Sequence, residues 1–227
     1  MDRTNGRVFK NELFEHFARI GKALASGRRL ELLEMLAQKE KTVEDLAHLT
    51  DMSVANTSRH LQVLRHARLV EFTKDGPHAK YRLADDRVFQ LWQALRDLGT
   101  DRIAEIERVV HAFATDRRTL KAVTVEELRQ HLKDGSVILL DVRPAEEYGA
   151  GHIPGARSVP LAELRAHLRQ LSKRREIVAY CRGPYCVLAD EAVKLLRSQG
   201  RKAYRLEVGF PDWRSRGLPV ETAPHLR

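Results

Sequence analysis

The sequence predicts two domains of different fold class. The first is mainly α with a small β-hairpin, and the second is α/β with a central parallel sheet. Apolar residues recur at helical spacing through the first half, and two alternating strands flank Asp75-Gly76. In the second half, short continuous apolar runs alternate with amphipathic helical stretches, which is typical of buried parallel strands covered by helices.

Composition and hydropathy indicate a folded protein outside the membrane. Of 227 residues, 43% are hydrophobic and 31% are charged, which is enough apolar content for packed cores. No apolar run approaches the ~20 residues that span a bilayer, and MDRTNGRVFKNELFEHF lacks the apolar core of a secretory signal. We therefore expect a cytoplasmic protein with no membrane partner, in which two closely spaced cysteines are reactive rather than structural.

The net charge of +9 suggests a polyanionic partner. The charge is not concentrated in the first half, because residues 1–118 carry 21 Lys and Arg against 18 Asp and Glu. A local count is more informative, since Ser53 to Arg82 contains six basic residues against two acidic ones. The sequence therefore predicts the nucleic-acid contact within this stretch.

Two short helices are predicted in front of that hairpin. In TVEDLAHLT, Thr42 can cap the helix and Asp45 takes the acidic position of a capping box. After a tight turn, Ser53 can cap the second helix, SVANTSRHLQVLRHA. The apolar side of this second helix is predicted to carry Val54, Leu61 and Leu64.

This arrangement is the layout of a helix-turn-helix, whose second helix enters the major groove by its N-terminal part. LVEFTK and AKYRL then alternate like strands and form a basic wing. The predicted DNA-contacting residues are Ser53, Asn56, Thr57, Ser58, Arg59, His60, Gln62 and Arg65 on the helix, and Lys74, His78 and Lys80 on the wing.

TVEDLAHLTDMSVANTSRHLQVLRHARLVEF resembles the ArsR/SmtB family of winged-helix repressors along its whole length. The resemblance implies a homodimer built from the first and last helices, which suits the apolar periodicity from Asp85 to Phe113, and an inverted-repeat operator in double-stranded DNA. The family's thiolate metal site in the recognition region has no counterpart, because no cysteine precedes Cys181. His16, Asp101 and His111 lack the spacing of the alternative interface site. We therefore predict no metal and no cofactor.

The second half begins after the polar segment ATDRRTL, which we take as the domain boundary. A helix through Val125 and Leu132 is followed by three predicted strands, SVILLDVR, REIVAYC and KAYRLEV, with a helix from Val187 to Ser198 between the last two. This order predicts a mostly parallel sheet, with ligand chemistry at the carboxyl ends of its strands.

The two cysteines of the chain lie in YCRGPYC, where Cys181 directly follows a predicted strand. The loop and the following helix would direct backbone N–H groups at this position. We expect them to lower the pKa of the Cys181 thiol and to stabilise a persulfide or a bound oxyanion. Free cysteines are often simply buried, but a strand end that opens into Arg-Gly-Pro favours a reactive thiol.

LLDVRPAEEYGAGHIPGA, YCRGPYC and RLEVGFPDWRSRGLPVE resemble, in that order, the first signature region, the active-site loop and the C-terminal signature of the rhodanese family. The resemblance covers Val123 to about Thr222 and implies sulfane-sulfur transfer, with Cys181 as the catalytic residue that becomes a persulfide. The implied active-site loop has the six-residue length of the sulfur-transfer enzymes, and it consists of Cys181, Arg182, Gly183, Pro184, Tyr185 and Cys186.

Cys186 departs from the family pattern, because many members have no thiol at the last loop position. It is a candidate resolving thiol or second sensing thiol for a Cys181 persulfide. The alternative is that its side chain packs toward the core of the following helix.

Together these features predict an ArsR-type DNA-binding and dimerisation domain over residues 1–115 and a rhodanese-like domain over residues 121–224. The predicted function is a transcriptional repressor that senses or transfers reactive sulfur from thiosulfate or a persulfide and releases DNA when its thiols are modified. Two alternatives stay open. One is a metalloid-responsive repressor that uses Cys181 and Cys186 as thiolate ligands. The other is a sulfurtransferase that regulates its own gene.

Overall fold

The computed structural model describes residues 3–75, 78–113 and 120–223. The chain divides into two compact units, Met1–Trp92 and Gln93–Arg227. The predicted domain boundary falls in residues 114–119, outside the described residues, so the limits 1–115 and 121–224 stay a prediction. Within the described ranges, no helix has the length and apolar character needed to cross a bilayer.

The first unit is a set of helices with a small antiparallel sheet. Its helices are α1 (Arg3–Leu24), α2 (Gly27–Leu36), α3 (Val43–Leu49), α4 (Val54–His66) and the start of α5 (Asp86–Arg102). Its strands are β1 (Lys41–Thr42), β2 (Val70–Asp75) and β3 (His78–Leu83), in the order β1-β3-β2. Strands β2 and β3 pair with Phe72 opposite Tyr81 and form the wing, which confirms the predicted hairpin.

Both predicted helix starts are confirmed by their caps. The Thr42 hydroxyl accepts from the Asp45 N–H at 3.1 Å, and the Asp45 carboxylate accepts from the Thr42 N–H at 3.2 Å. At the start of α4, the Ser53 hydroxyl accepts from the Asn56 N–H at 3.3 Å. Caps of this kind stabilise a helix by about 1 kcal/mol each, so the turn between α3 and α4 is set by local sequence.

The apolar side of α4 packs into the core of the first unit. Leu61 and Leu64 are fully buried in a cluster with Leu32 and Leu33 of α2. Val54, on the same side of the helix, is 47% exposed. The buried stripe of α4 begins one turn later, so Val54 lies at the solvent end of the helix.

The predicted periodic segment from Asp85 to Phe113 is two helices, α5 and α6 (Ala104–Phe113). They meet at Ile103, and Ile106 Cδ1 would lie 3.3 Å from a Cβ on Gly99. Both helices carry exposed apolar side chains, as α1 does. Exposed apolar rows of this kind are typical of surfaces that pair with another chain. They are consistent with a dimer formed by the first and last helices, which stays a prediction.

The second unit contains a five-stranded parallel sheet in the order β4-β8-β7-β5-β6. Its strands are β4 (Ala122–Val123), β5 (Val137–Asp141), β6 (Arg157–Ser158), β7 (Glu176–Tyr180) and β8 (Ala203–Leu206). Its helices, besides the end of α5 and α6, are α7 (Val125–Lys133), α8 (Ala145–Ala150), α9 (Leu164–His167), α10 (Val187–Ser198) and α11 (Phe210–Ser215).

The three predicted strands are the central ones of this sheet, and α10 has the predicted bounds. The edge strands β4 and β6 have two residues each, which is too short for a hydropathy pattern to show. Strand β5 is buried along its whole length between two apolar clusters. Strand β7 lies beside it, so its carboxyl end places Cys181 at the centre of the sheet edge.

Candidate functional sites

The polar face of α4 presents most of the predicted DNA-contacting side chains to solvent. The exposed ones are Ser53, Arg59, Gln62 and Arg65, and the half-buried ones are Asn56, Ser58 and His60. Thr57 is a correction to the prediction. Its side chain is fully buried and its hydroxyl donates to the Ser53 carbonyl at 3.0 Å, so it faces the core and not the groove.

The recognition helix and the wing are joined by a cation–π contact. The Arg65 guanidinium lies 5.0 Å from the centre of the Phe72 ring on β2. On the wing, Lys74 is exposed and Lys80 is half-buried, whereas the side chain of His78 lies outside the described residues. Stacking on Phe72 restrains Arg65 in a position where its charge stays at the surface.

His60 differs from the other basic residues of α4 in its charge. Burial, followed by the positive charges of Arg29 and Arg59, lowers the pKa of the His60 imidazole. The ring is therefore neutral at pH 7, and it can serve as a hydrogen-bonding group but not as a cation for phosphate.

The second site is the segment from Cys181 to Cys186, which we call the thiol loop. Cys181 follows the last residue of β7, and its side chain belongs to the buried core on one side of the sheet. Cys181 is 3% exposed, and its sulfur lies 3.5 Å from the carbonyl oxygen of Cys186. Burial, and then a hydrogen bond with the Cys186 thiol, raises the pKa of Cys181 well above its usual value.

Cys186 is the N-cap residue of α10. The hydrogen bond from Cys181, followed by the backbone N–H groups of Arg182 and Leu188, lowers the pKa of Cys186 to about 7 against the opposing effect of burial. The expected lowering therefore falls on Cys186 and not on Cys181. The physical reason is burial, because both sulfurs receive two backbone N–H groups but Cys181 is the more deeply buried, and its hydrogen bond with Cys186 raises its own pKa while lowering that of Cys186.

Arg182 links the thiol loop to α8. Its guanidinium makes a two-pronged ion pair with the fully buried Glu147, at 2.8 to 3.1 Å. Charge-assisted pairs of this geometry are directional. The Arg182 side chain is therefore committed to Glu147, and the loop backbone supplies the donors that face the sulfur.

The remaining loop residues differ in exposure. Gly183 is buried and Pro184 is half-buried, whereas Tyr185 is 40% exposed. The Tyr185 hydroxyl lies 2.7 Å from the Thr100 hydroxyl of α5. The structure thus brings all six predicted loop residues into one turn between β7 and α10, as the sequence predicts.

Comparison with known proteins agrees with both predicted families. Residues 26–71 match the family described as bacterial regulatory protein, arsR family, and residues 124–216 match the rhodanese-like domain. The chain is 43% identical over 212 residues to the HTH-type transcriptional regulator Rv0324 of Mycobacterium tuberculosis, covering 93% of each. The chain belongs to the ArsR family of regulators and carries a C-terminal rhodanese-like domain.

Two further relatives match one half of the regulator each. A sulfurtransferase of Allochromatium vinosum is 32% identical over 97 residues, which is 42% of this chain and 89% of that protein. The solution structure of the homodimeric winged helix-turn-helix DNA-binding domain of Mb0332 from Mycobacterium bovis is 37% identical. It covers 45% of this chain and 90% of that one, with a TM-score of 0.40.

The structure also assigns roles that the sequence analysis missed in this regulator. Glu147 anchors Arg182, and Asp212 accepts from the N–H of Gly209 at 3.1 Å beside the loop. Both carboxylates are buried, and both lie inside the signature regions AEEYGAGHIPGA and VGFPDWRS. The sequence signal that could have identified each carboxylate was its place as an acidic residue within a predicted signature region.

Proposed function

We propose that the protein is a homodimeric, cytoplasmic repressor that takes up sulfane sulfur on Cys181 and Cys186 and then releases an inverted-repeat operator. The observation that carries the proposal is the placement of both thiols in one loop of a rhodanese-like domain, with the Cys181 sulfur 3.5 Å from the carbonyl oxygen of Cys186. That domain is joined to an ArsR-family helix-turn-helix in one chain. A thiol-modifying signal and a DNA-binding output are thus present in the same molecule.

The uptake step begins from a thiolate. Near pH 7 about half of the Cys186 thiol is ionised, and Cys186 is the less buried of the two cysteines. With thiosulfate as donor, the Cys186 sulfur attacks the outer sulfur, the S–S bond of thiosulfate breaks, and sulfite leaves with the electron pair. With an organic persulfide, the corresponding leaving group is the thiolate. Either donor leaves a persulfide on Cys186.

The second step uses the other thiol. Cys181 attacks the inner sulfur of the Cys186 persulfide, its proton passes to the outer sulfur, and hydrosulfide leaves. Two thiols are oxidised to one disulfide, and the sulfane sulfur is reduced to sulfide. The resemblance to rhodaneses implies the opposite order, with the persulfide on Cys181. The deeper burial of Cys181 and the lowered pKa of Cys186 favour Cys186 as the first nucleophile.

On the DNA side, two recognition helices related by a two-fold axis would enter successive major-groove faces about one helical turn apart. We assign contacts at or near base edges to Arg59 and Gln62, which are exposed on α4. The phosphate contacts are assigned to Lys74 and Lys80 of the wing. A footprint without dyad symmetry would contradict this arrangement.

Two other functions use the same thiols. The similarity to a sulfurtransferase favours catalytic turnover, with DNA binding serving to regulate the protein's own gene. A metalloid sensor would use both thiolates as ligands, but in the described ranges no group of three or more His, Cys, Asp and Glu side chains could hold a metal. Two thiolates alone make a weak metalloid site.

Mass spectrometry of the full-length protein distinguishes these functions. The reduced protein is treated with thiosulfate, polysulfide or arsenite, and each sample is tested for binding to a duplex that the reduced protein has selected from a random-sequence pool. We expect sulfur on the Cys186 peptide, then a Cys181–Cys186 disulfide and loss of DNA binding. Release by arsenite alone would support the metalloid sensor, and rapid sulfur turnover without DNA release would support the sulfurtransferase.

A further inference from the structure

A buried ion pair joins helix α5 to the C-terminal signature within the second unit. The Asp212 side chain is 2% exposed, and its Oδ1 accepts from Arg96 Nη2 at 2.7 Å and from Gln93 Nε2 at 2.9 Å. The Arg96 side chain is itself 10% exposed. A carboxylate buried this deeply depends on its charged partner, because loss of one member leaves an uncompensated buried charge.

The other oxygen of Asp212 holds the backbone that supports the thiol loop. Asp212 Oδ2 accepts from the Gly209 N–H at 3.1 Å. Gly209 touches the loop so closely that a Cβ there would overlap the backbone of Arg182 and Gly183. The next residue, Phe210, donates its N–H to the Cys181 carbonyl at 3.1 Å. The position of Asp212 therefore determines where this part of the loop backbone lies.

The same stretch of backbone stabilises the thiolate. The Arg182 N–H donates to the Cys186 sulfur and is one cause of its lowered pKa. Contacts thus run continuously from Arg96 through Asp212 and Gly209 to Arg182 and Cys186. A displacement of Asp212 would move the Arg182 N–H relative to the sulfur.

A second contact joins the same face of α5 to the loop. Gln93, Arg96 and Thr100 follow one another at helical spacing, so they share a face of α5. Thr100 meets the Tyr185 hydroxyl at 2.7 Å. The face of α5 that holds Asp212 therefore also contacts the thiol loop at Tyr185.

We infer that Arg96 is a positioning residue for the thiol loop, acting through Asp212 and Gly209 on the backbone beside Cys186. Coupling of this kind is reciprocal, so a change at Cys186 should also alter the part of α5 that carries Arg96 and Thr100. The inference does not rest on the proposed function.

The test uses the full-length chain and iodoacetamide, with neither a sulfur donor nor DNA. The rate of Cys186 alkylation is measured against pH in the wild type, in Arg96→Gln, and in Arg96→Lys, which keeps the charge. Arg87→Gln is the matched control, because it is the same substitution on the same helix at an exposed ion pair with Asp85. Hydrogen exchange of α5 is then followed by mass spectrometry before and after alkylation.

For the wild type we expect an alkylation midpoint at about 7. Arg96→Gln should raise it toward the free-thiol value of ~8.5, Arg96→Lys should give a smaller rise, and Arg87→Gln should give none. Alkylation should change the exchange of α5 in the wild type and in Arg87→Gln but not in Arg96→Gln. A wild-type midpoint in Arg96→Gln would overturn the inference.

The wild type alone also tests the coupling, should Arg96→Gln fail to fold. If alkylation of Cys186 leaves the exchange of α5 unchanged, α5 does not report the state of the loop and the inference is wrong. Failure of sulfane-sulfur uptake would overturn the proposed function without altering either alkylation result. The two failures are therefore distinguishable.

Discussion

The recognition helix α4 and the thiol loop present their functional groups in different ways. On α4, Arg59 and Gln62 are solvated side chains whose direction follows from the helical period and from the burial of Leu61 and Leu64. In the loop, the pKa values of the two sulfurs are set by burial, by their hydrogen bond to each other, and by N–H groups from the loop and from α10. Reactivity of the second kind depends on neighbours that a local pattern does not show.

This difference predicts different consequences of substitution. An exposed side chain on α4 can be changed with little effect on the core, so the loss should appear in DNA affinity. A residue of the thiol loop acts through buried partners, such as Glu147 under Arg182. A substitution in the thiol loop should therefore appear first as a change in the pKa of a cysteine sulfur.

The largest expected effect is on thiol reactivity. Near pH 7 about half of Cys186 is ionised, because its pKa is about 7, while the pKa of Cys181 lies well above its usual value. Cys186→Ser should therefore lower the iodoacetamide alkylation rate at pH 7 by roughly 50-fold or more. In the wild type the reactivity should be lost as the pH falls through 7, since the thiolate is then protonated.

Cys181→Ser is the matched variant for that measurement. It keeps a hydroxyl that can donate to the Cys186 sulfur, so alkylation at pH 7 should stay within several-fold of the wild type. If Cys181→Ser abolishes the rapid alkylation and Cys186→Ser preserves it, the thiolate is on Cys181. The order of the two steps would then be the one that the rhodanese resemblance implies.

The next effect is on DNA specificity. Arg59→Ala should cost about 1–3 kcal/mol of binding to a selected duplex, because a lost base-edge contact has this magnitude. Binding to a duplex of random sequence should change much less. Both affinities can be measured by fluorescence anisotropy at one salt concentration, and equal losses on the two duplexes would assign Arg59 to the phosphates.

A smaller effect is expected on the wing. Lys80→Ala should weaken binding to both duplexes about equally and reduce the slope of log K against log salt by roughly one. Lys133→Ala, at an exposed position on α7, is the control and should leave the slope unchanged. An unchanged slope for Lys80→Ala would remove the wing residue from the DNA contact.

The smallest effect on DNA binding is expected at Thr57. Thr57→Val keeps the shape of a fully buried side chain and removes its hydrogen bond to the Ser53 carbonyl. The free energy of unfolding should fall by about 1 kcal/mol, as measured by urea denaturation, while the affinity for the selected duplex should stay within about twofold. A loss of specificity comparable to that of Arg59→Ala would show that Thr57 reaches the bases.

Much of the fold could be predicted, because its signals are local. Thr42 and Ser53 cap their helices through residues three positions away, and α10 begins and ends where its apolar period does. The break at Ile103 has no signal in the sequence pattern, because the apolar period continues through it. The exposure of Val54 has none either, because a period indicates a face but not how far a neighbouring element covers it.

The residues alone were enough to determine two families in one chain, the wing, the parallel sheet and the loop that holds both cysteines. Tertiary structure decided the directions in which the two thiol pKa values shift and which carboxylates hold the loop. Glu147 lies 35 positions from Arg182, and Arg96 lies 116 positions from Asp212. The pKa of a buried group is a sum over its neighbours in space, and these neighbours become adjacent to the thiol loop only when the sheet and helices have packed.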